Sequence, residues 1–450
     1  MPGTGHSRRG RPRAPAPRPA AGGPRRTPAA VLRGQLGRAM DMGYPHLIAS
    51  IFVVQGLAYA SQLVIASLLG PGEFGVVRSV EAVVSIVLIV GSLGMPSLAV
   101  KVLAEESDEG RRGVLLGRVL RVAAIGGVVG AGAGLLLLRG FVTAGAGRYL
   151  SALVWVVVLS ALVRTSLNYY LGIRQVQRLA VVSVASSAVS LLAVVALTWW
   201  RGLDGWVMGR YVGEACTALV LLLPLRRVLR WRGEANPAHG YRYLVGHGAA
   251  VAASLALRTA FDQGGILALG RWGATSEMVG YFGISTLVLS VAMVFPSALG
   301  QLLVPRFAAA AHDRGAVRGE LMGALRLTAA VTIPVAVGGA LLCGPLLRAA
   351  IPAYAPAVPI LQVLLLSIPA RSLASLAGGV LLTYNRNRLT AVANAAMLAA
   401  SWALFALVVP GHGGTGAAWV LLGMEHAGML VWVGSAFREL GAGRAAPRAA

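Results

Sequence analysis

Inside the apolar stretch LALRTAFDQGGILALG, residues 255–270, an arginine and an aspartate stand four residues apart. On a helix Arg258 and Asp262 share one face, about 40° apart, so they either pair with each other or offer opposite charges to a ligand. A guanidinium recognises phosphate oxygens at two points, whereas a carboxylate among apolar side chains is a natural proton or cation acceptor. His247 and Ser254 fall on the same face as this pair. An earlier apolar run carries a second polar stripe, Gln55, Tyr59 and Gln62, at helical spacing. Two such stripes suggest two walls of one cavity.

Other charges lie deep in apolar runs: Arg164, Arg371, Glu214 and Glu425, the last beside His426. Facing lipid, each would cost roughly 2.5–3.5 kcal/mol even on a lenient scale, so they are expected to face protein or a wet cavity. Asp262, Glu214 and Glu425 are the candidates for ion coupling, with bonding between helices as the alternative use. Arg121, Arg210 and Arg326 lie near helix ends and are expected to snorkel to the headgroups, and Glu81 lies near an outer end. Cys216 and Cys343 both sit in apolar segments and suggest neither a disulfide framework nor a metal site. No cofactor is implied, since no phosphate-cradling glycine loop is present.

The elements that position these residues are membrane-spanning helices. The 450 residues are 56% hydrophobic and only 12% charged, where a soluble chain carries roughly 25%. The net charge of +24 is spread as punctuation between apolar runs, which argues against nucleic acid as a partner. Twelve candidate spans follow: 46–69, 79–100, 119–138, 150–171, 179–199, 206–225, 243–269, 280–304, 321–343, 357–383, 389–409 and 415–437. Connections after even-numbered spans hold sixteen basic residues and those after odd-numbered spans six, Arg78 among them. The positive-inside rule therefore predicts a multi-pass protein of the cytoplasmic membrane with both termini cytoplasmic. Residues 1–40 read as a disordered Arg/Pro-rich tail, dispensable or preceding a later start, and able to touch anionic lipid. Residues 438–450 form a second cytoplasmic tail.

The two halves echo each other. Gln62 and Asp262 take matching places, and MPSLA (95–99) matches FPSAL (295–299). Six spans per half give both halves the same orientation, related by an axis along the membrane normal. The predicted architecture is all-α, with one lobe at 46–229, a cytoplasmic linker at 230–242 and a second lobe at 243–437.

Several segments, in order, resemble a known family. IASLLGPGEFGVVRSVEAVVSIVLIVGSLGMPSLAVK (65–101) resembles the opening of the polysaccharide and lipid-linked oligosaccharide flippases. FDQGGILALGRWGATSEMVGYFGISTLV (261–288) and FPSALGQLLVPRFA (295–308) are similar to the start of their second half. LLRAAIPAYAPAVPILQVLLLSIPARSL (346–373) and GHGGTGAAWVLL (411–422) extend the match, which spans about 45–437. The resemblance implies the multidrug/oligosaccharidyl-lipid/polysaccharide exporter superfamily, a V-shaped cavity between two lobes, and alternating access. It also implies a polyprenyl-diphosphate-linked glycan as substrate, with membrane lipid and glycosyltransferases or a polymerase of the same pathway as partners.

Arg258 then meets the diphosphate or, on the other reading, only pairs with Asp262. Arg371 adds to a cationic lumen, and Arg164, nearer the cytoplasmic side, is read more simply as a packing residue. A multidrug or cation exporter of the same superfamily would need acids to dominate the cavity. A membrane glycosyltransferase or polymerase needs paired carboxylates on outer loops, which here are short, so an enzyme is not expected.

Overall fold

The computed structural model describes residues 44–441, apart from 144, 174, 232, 234–238, 273 and 385. The tail expected at 1–40, residues 442–450 and the centre of the linker lie outside the described residues. Every regular element described is helical.

Three helices are too long for one membrane crossing: α1 (Tyr44–Gly91), α6 (Val176–Leu225) and α14 (Asn387–Gly441). At 1.5 Å per residue, the 50 residues of α6 would reach about 75 Å, against a hydrocarbon core of about 30 Å. Each is interrupted by a glycine with positive φ: Gly70 (73°), Gly202 (58°) and Gly413 (54°). Only glycine enters this region at little cost.

These glycines are hairpin turns. In α6, a Cβ added at Gly205 would overlap the Leu197 carbonyl, one at Gly209 would press on Val194, and one at Gly213 on Ser190. The pairs recede evenly from Gly202, as two antiparallel limbs require. Glycine at every fourth position clears one face and lets the backbones touch, which is how helices associate where lipid supplies no hydrophobic drive. In α14, Gly416 lies against Val408 and Gly428 against Met397, receding from Gly413 in the same way. In α1 the Gln62 amide reaches Glu81 across the Gly70 turn.

The remaining helices are single or bent rods. The second limb of α1 breaks at Leu93 and Gly94, both at positive φ, and resumes as α2 (Met95–Glu105) with Pro96 in its first turn. Next come α3 (Glu109–Leu138), capped by Asp108, and the bent pair α4 (Gly147–Leu153) and α5 (Val156–Gly172). The second half holds α7 (Tyr241–Asp262), α8 (Gly264–Arg271), α9 (Ser276–Ala292) and α10 (Val294–Ala309). α11 (Arg314–Ala350), capped by Asp313, precedes a second bent pair, α12 (Val358–Leu365) and α13 (Ile368–Thr383). Among the described residues, six helices are long and apolar enough to cross a membrane, or up to eight if each bent pair is one span.

The turn at Gly70–Pro71 changes one boundary. Expected to begin at residue 79, the second limb starts at Pro71, so Arg78 and Glu81 sit two and three turns inside a helix and not in or beside a connection. Chain halves meet closely near this turn. A Cβ at Gly75 would overlap the Ser276 carbonyl, and one at Gly280 the Pro71 carbonyl. Fully buried Tyr354 donates its hydroxyl to the Ala66 carbonyl at 3.0 Å and packs edge-on against Phe74.

Candidate functional site

Arg258 and Asp262 occupy the last turns of α7, Arg371 the first turn of α13, and Glu425 the second limb of α14. Asp262 Oδ1 accepts from Arg371 Nη2 at 2.7 Å and lies 3.1 Å from Arg258 Nη2. Glu425 Oε1 lies 3.5 Å from Arg258 Nη2 and 3.6 Å from Arg371 Nη1. Two cations and two anions form a closed quartet in which every charge touches both opposite charges. Glu425 is the most enclosed, its side chain 4% exposed against 26–33% for the other three. Such burial is tolerable because each carboxylate is shared by two guanidinium groups. Arg258 also lies over the Phe261 ring, 5.4 Å from its centroid.

Not every residue of the expected stripes joins this group. Ser254 is half-buried one turn before Arg258, and Gln55 is exposed. His247 is exposed and stacks on Tyr243 with ring centroids 4.0 Å apart. His426, the neighbour of Glu425, is exposed on another side of its helix, its Nδ1 facing the Leu422 carbonyl at 2.9 Å.

A larger cavity, about 350 Å³, opens beside α1 and α6. Tyr59, Gln62, Arg78, Glu81, Trp206 and Arg210 line it, with Gln263 and Ser290 from the second half. Gln62 Nε2 donates to both Glu81 oxygens at 3.0 and 3.1 Å, and Arg78 Nη1 to Oε2 at 3.3 Å. Arg78 Nη2 reaches Thr286 Oγ1 at 3.4 Å while its aliphatic stem lies on Gly283. The Tyr59 hydroxyl donates to the Ser290 carbonyl at 3.2 Å. Two first-half side chains thus hold the second half directly.

Four buried polar atoms of this lining lack a hydrogen-bond partner among the described residues: Gln62 Oε1, Arg78 Nε, Trp206 Nε1 and Arg210 Nε. Buried polar groups are ordinarily hydrogen-bonded, to protein, water or ligand, so these four atoms offer hydrogen-bonding capacity to whatever fills the cavity. Three of the four are N–H donors. A smaller adjoining cavity, about 70 Å³, shares Arg78, Gln263 and Ser290 and reaches Asp262, Arg371 and Glu425. Arg258 stands behind, in the wall of neither.

Sequence reasoning placed Gln62 and Tyr59 on this wall but passed over Arg78, Glu81, Arg210 and Trp206. On sequence alone Arg78 falls in a connection and Arg210 near a helix end, where it would snorkel. The signal was present in GPGEFG (70–75), where a glycine–proline pair starts the helix and sets Arg78 two turns in. Among the described residues no group of three His, Cys, Asp or Glu could hold a metal ion.

Residues 64–352 match the model of a family described as polysaccharide biosynthesis protein. No curated protein matches the sequence. Among solved structures, an inward-facing multidrug resistance MATE family transporter of the MOP superfamily aligns with a TM-score of 0.71 at 12% identity, over 89% of this chain and 99% of its own. The lipid II flippase MurJ, in an inward closed conformation, aligns with a TM-score of 0.69 at 13% identity, over 88% and 90%. A MOP superfamily transporter from Pyrococcus furiosus, described by the reverse polarity of its binding pocket, aligns with a TM-score of 0.63 at 12% identity, over 89% and 96%. At these identities the likeness establishes the fold, which is that of the MOP superfamily transporters.

Proposed function

This chain belongs to the polysaccharide biosynthesis protein family, and from that premise we propose that it moves a lipid-linked oligosaccharide or polysaccharide precursor across the cytoplasmic membrane by alternating access. The observation that carries the reading is the 350 Å³ cavity with its three partnerless N–H donors and one partnerless acceptor. Two guanidinium groups against one carboxylate, Glu81, leave its wall net positive. An oxygen-rich anion such as a diphosphate satisfies the donors, and Gln62, Tyr59 and Trp206 offer hydrogen bonds and an aromatic face to attached sugars.

The quartet has a different part. Asp262, Arg371 and Glu425 border the adjoining cavity, and protonation of either acid there frees a guanidinium to attract the same anion. This makes Asp262 and Glu425 the coupling candidates, with Arg258 holding both in place; Ser254 and Gln55 lie farther along the same walls. The acids are matched by arginines, which disfavours a cationic drug as cargo.

The architecture in this reading is twelve crossings in two six-helix lobes, at 46–229 and 243–437, with both termini cytoplasmic. Each hairpin helix supplies two crossings, the second limb of α1 continuing into α2; α3, α11 and the consecutive pairs α4–α5, α7–α8, α9–α10 and α12–α13 supply one apiece. Pathway glycosyltransferases or a polymerase would meet the cytoplasmic or outer face.

Two measurements test this. In a background lacking Cys216 and Cys343, Arg201→Cys at the Gly202 turn should label from outside intact cells and Arg227→Cys should not; the reverse pattern breaks the topology. The cavity is tested with purified protein and farnesyl diphosphate as probe. Arg78→Gln and Arg210→Gln should each weaken binding at least about tenfold, since hydrogen bonds to charged groups contribute roughly 1.5–3 kcal/mol. Unchanged affinity in both variants would remove the cavity from the account.

A further inference from the structure

A groove of about 540 Å³ opens between α11, α13 and the second limb of α14, and it shares no residue with the cavities described above. Its volume falls in the usual range of ligand sites, roughly 300–1,000 Å³. Leu373 on α13 and Met429, Leu430 and Val433 on α14 give it an apolar wall, while Ala329 and Gly434 leave it room. A Cβ added at Gly434 would meet nothing within 4 Å. Leu430 is 69% exposed, so the groove is open along its side and not sealed inside the bundle. One lining residue is polar: Arg326, exposed on α11. Among the described residues no acidic side chain lines the groove to neutralise it.

The three helices gather at one polar end. Arg314, the first residue of α11, lies 3.4 Å from Glu439 near the end of α14. Glu439 also accepts from Arg386, between α13 and α14, at 2.7 Å, and the Tyr384 hydroxyl beside it donates to the Ala311 carbonyl at 3.2 Å. Counted along the helices from this end, Gly434 lies about 10 Å in, Leu373 about 15 Å, and Arg326 and Met429 about 18 Å. Side chains of a helix lean toward its N-terminus, and a long basic side chain carries its charge toward the headgroups. The guanidinium of Arg326 therefore reaches back toward the polar end, while the apolar wall continues toward the bilayer centre. Charge at one end and hydrocarbon beyond it is the polarity of a phospholipid standing in one leaflet.

We propose that this groove binds one anionic phospholipid, with its phosphate on Arg326 and an acyl chain along Leu373, Met429 and Leu430. A guanidinium grips phosphate oxygens at two points. A zwitterionic headgroup sets its own cation against that phosphate, so the groove selects a net-anionic lipid, as basic pockets between membrane helices do. The adaptable thioether of Met429 suits a mobile chain. On the topology proposed above the polar end is cytoplasmic and the lipid belongs to the inner leaflet; the site itself does not depend on that assignment. Occupancy bears on transport because the lining helices also carry the quartet. Leu373 is two residues past Arg371, and Met429 is one turn past Glu425.

The test titrates the purified full chain with phosphatidylglycerol or phosphatidylcholine of equal chain length and reads the tightest bound lipid by native mass spectrometry. The wild type should hold phosphatidylglycerol about tenfold more tightly, the scale of one charge-assisted hydrogen bond. Arg326→Gln should remove that preference, and Arg326→Lys should keep part of it. Gly434→Leu should weaken phosphatidylglycerol binding about tenfold with the charge untouched, because leucine fills the groove. Gly132→Leu, at another position where a Cβ meets nothing within 4 Å, should bind like the wild type. Arg78→Gln should do so as well, which separates this site from the cavity beside α1. Equal affinity of the wild type for both lipids would mean ordinary annular lipid and overturns the proposal. So does a loss in Arg326→Gln with wild-type binding in Gly434→Leu, which leaves a phosphate contact without a groove. Displacement of phosphatidylglycerol by equimolar farnesyl diphosphate would give the groove to the isoprenoid substrate, and also overturns it.

Discussion

Arg371→Met is expected to destabilise the folded protein by about 3–5 kcal/mol, the usual consequence of removing one partner from a buried charge group. Arg371 makes the shortest contact of the quartet, 2.7 Å to Asp262. Without it, Asp262 and Glu425 share Arg258 alone, and Glu425 is too enclosed for water to compensate. The double change Arg371→Met with Glu425→Gln removes one charge of each sign. It leaves Arg258 on Asp262 at 3.1 Å, a self-contained pair within α7. Most of the lost stability should therefore return in the double variant. Melting temperatures of both singles and the double decide it: a single Arg371→Met as stable as wild type would show that the quartet carries no such energy. Transport by the double then separates two roles. A stable double that transports means the quartet only fixes packing, while a stable double that does not transport assigns it to coupling.

The sequence carried the helices and their turning points well, because glycine and proline act locally. The breaks between expected spans at 199–206 and 409–415 contain Gly202 and Gly413, whose positive φ makes the hairpins. The exception is instructive. On sequence alone the charge at Arg78 sets the start of the second limb of α1 at residue 79, whereas the chain turns at Gly70 and the limb begins at Pro71. A helix that lines a cavity carries its charges inside, so charge there marks the site and not the end. That error hid Arg78 and Glu81.

Pairings were illegible for another reason. Arg258 and Asp262 are four residues apart and share a face by helical geometry alone. Arg371 and Asp262 are 109 residues apart, and Tyr59 and Ser290 231 apart; these contacts depend on how helices cross. Residue type alone exposed Arg371, Glu425 and Arg164 as deep charges. Only the tertiary arrangement separates the neutralised pair, Arg258 and Arg371, from those that make no ion pair among the described residues, Arg164 and Arg210.

Gly280→Ala should change which end of the molecule is open. At the crossing of α1 and α9, Gly75 lies against the Ser276 carbonyl and Gly280 against the Pro71 carbonyl. A Cβ at Gly280 overlaps backbone atoms of Pro71, which no rotamer change can move. The segments must separate, and overpacking of this kind costs typically 1–3 kcal/mol in the arrangement that contains it. The proposed alternating-access cycle includes another arrangement, in which this end is apart, so on that reading the population shifts there by about tenfold per 1.4 kcal/mol. Arg78 makes the shift bear on function: its stem rests on Gly283, one turn beyond Gly280, and its Nη2 meets Thr286 at 3.4 Å. Separating the segments withdraws Arg78 from the second half and alters the cavity. Gly72→Cys is a suitable reporter, because a side chain there makes only ordinary contact with Glu277, at 3.6 Å. In the background lacking Cys216 and Cys343, Gly280→Ala should speed thiol labelling of Gly72→Cys about tenfold and suppress transport. Gly56→Ala, whose Cβ meets nothing within 4 Å, should do neither. Wild-type labelling and transport in Gly280→Ala would show that the crossing does not gate the cavity; a lowered melting temperature with unchanged labelling would make it a static joint.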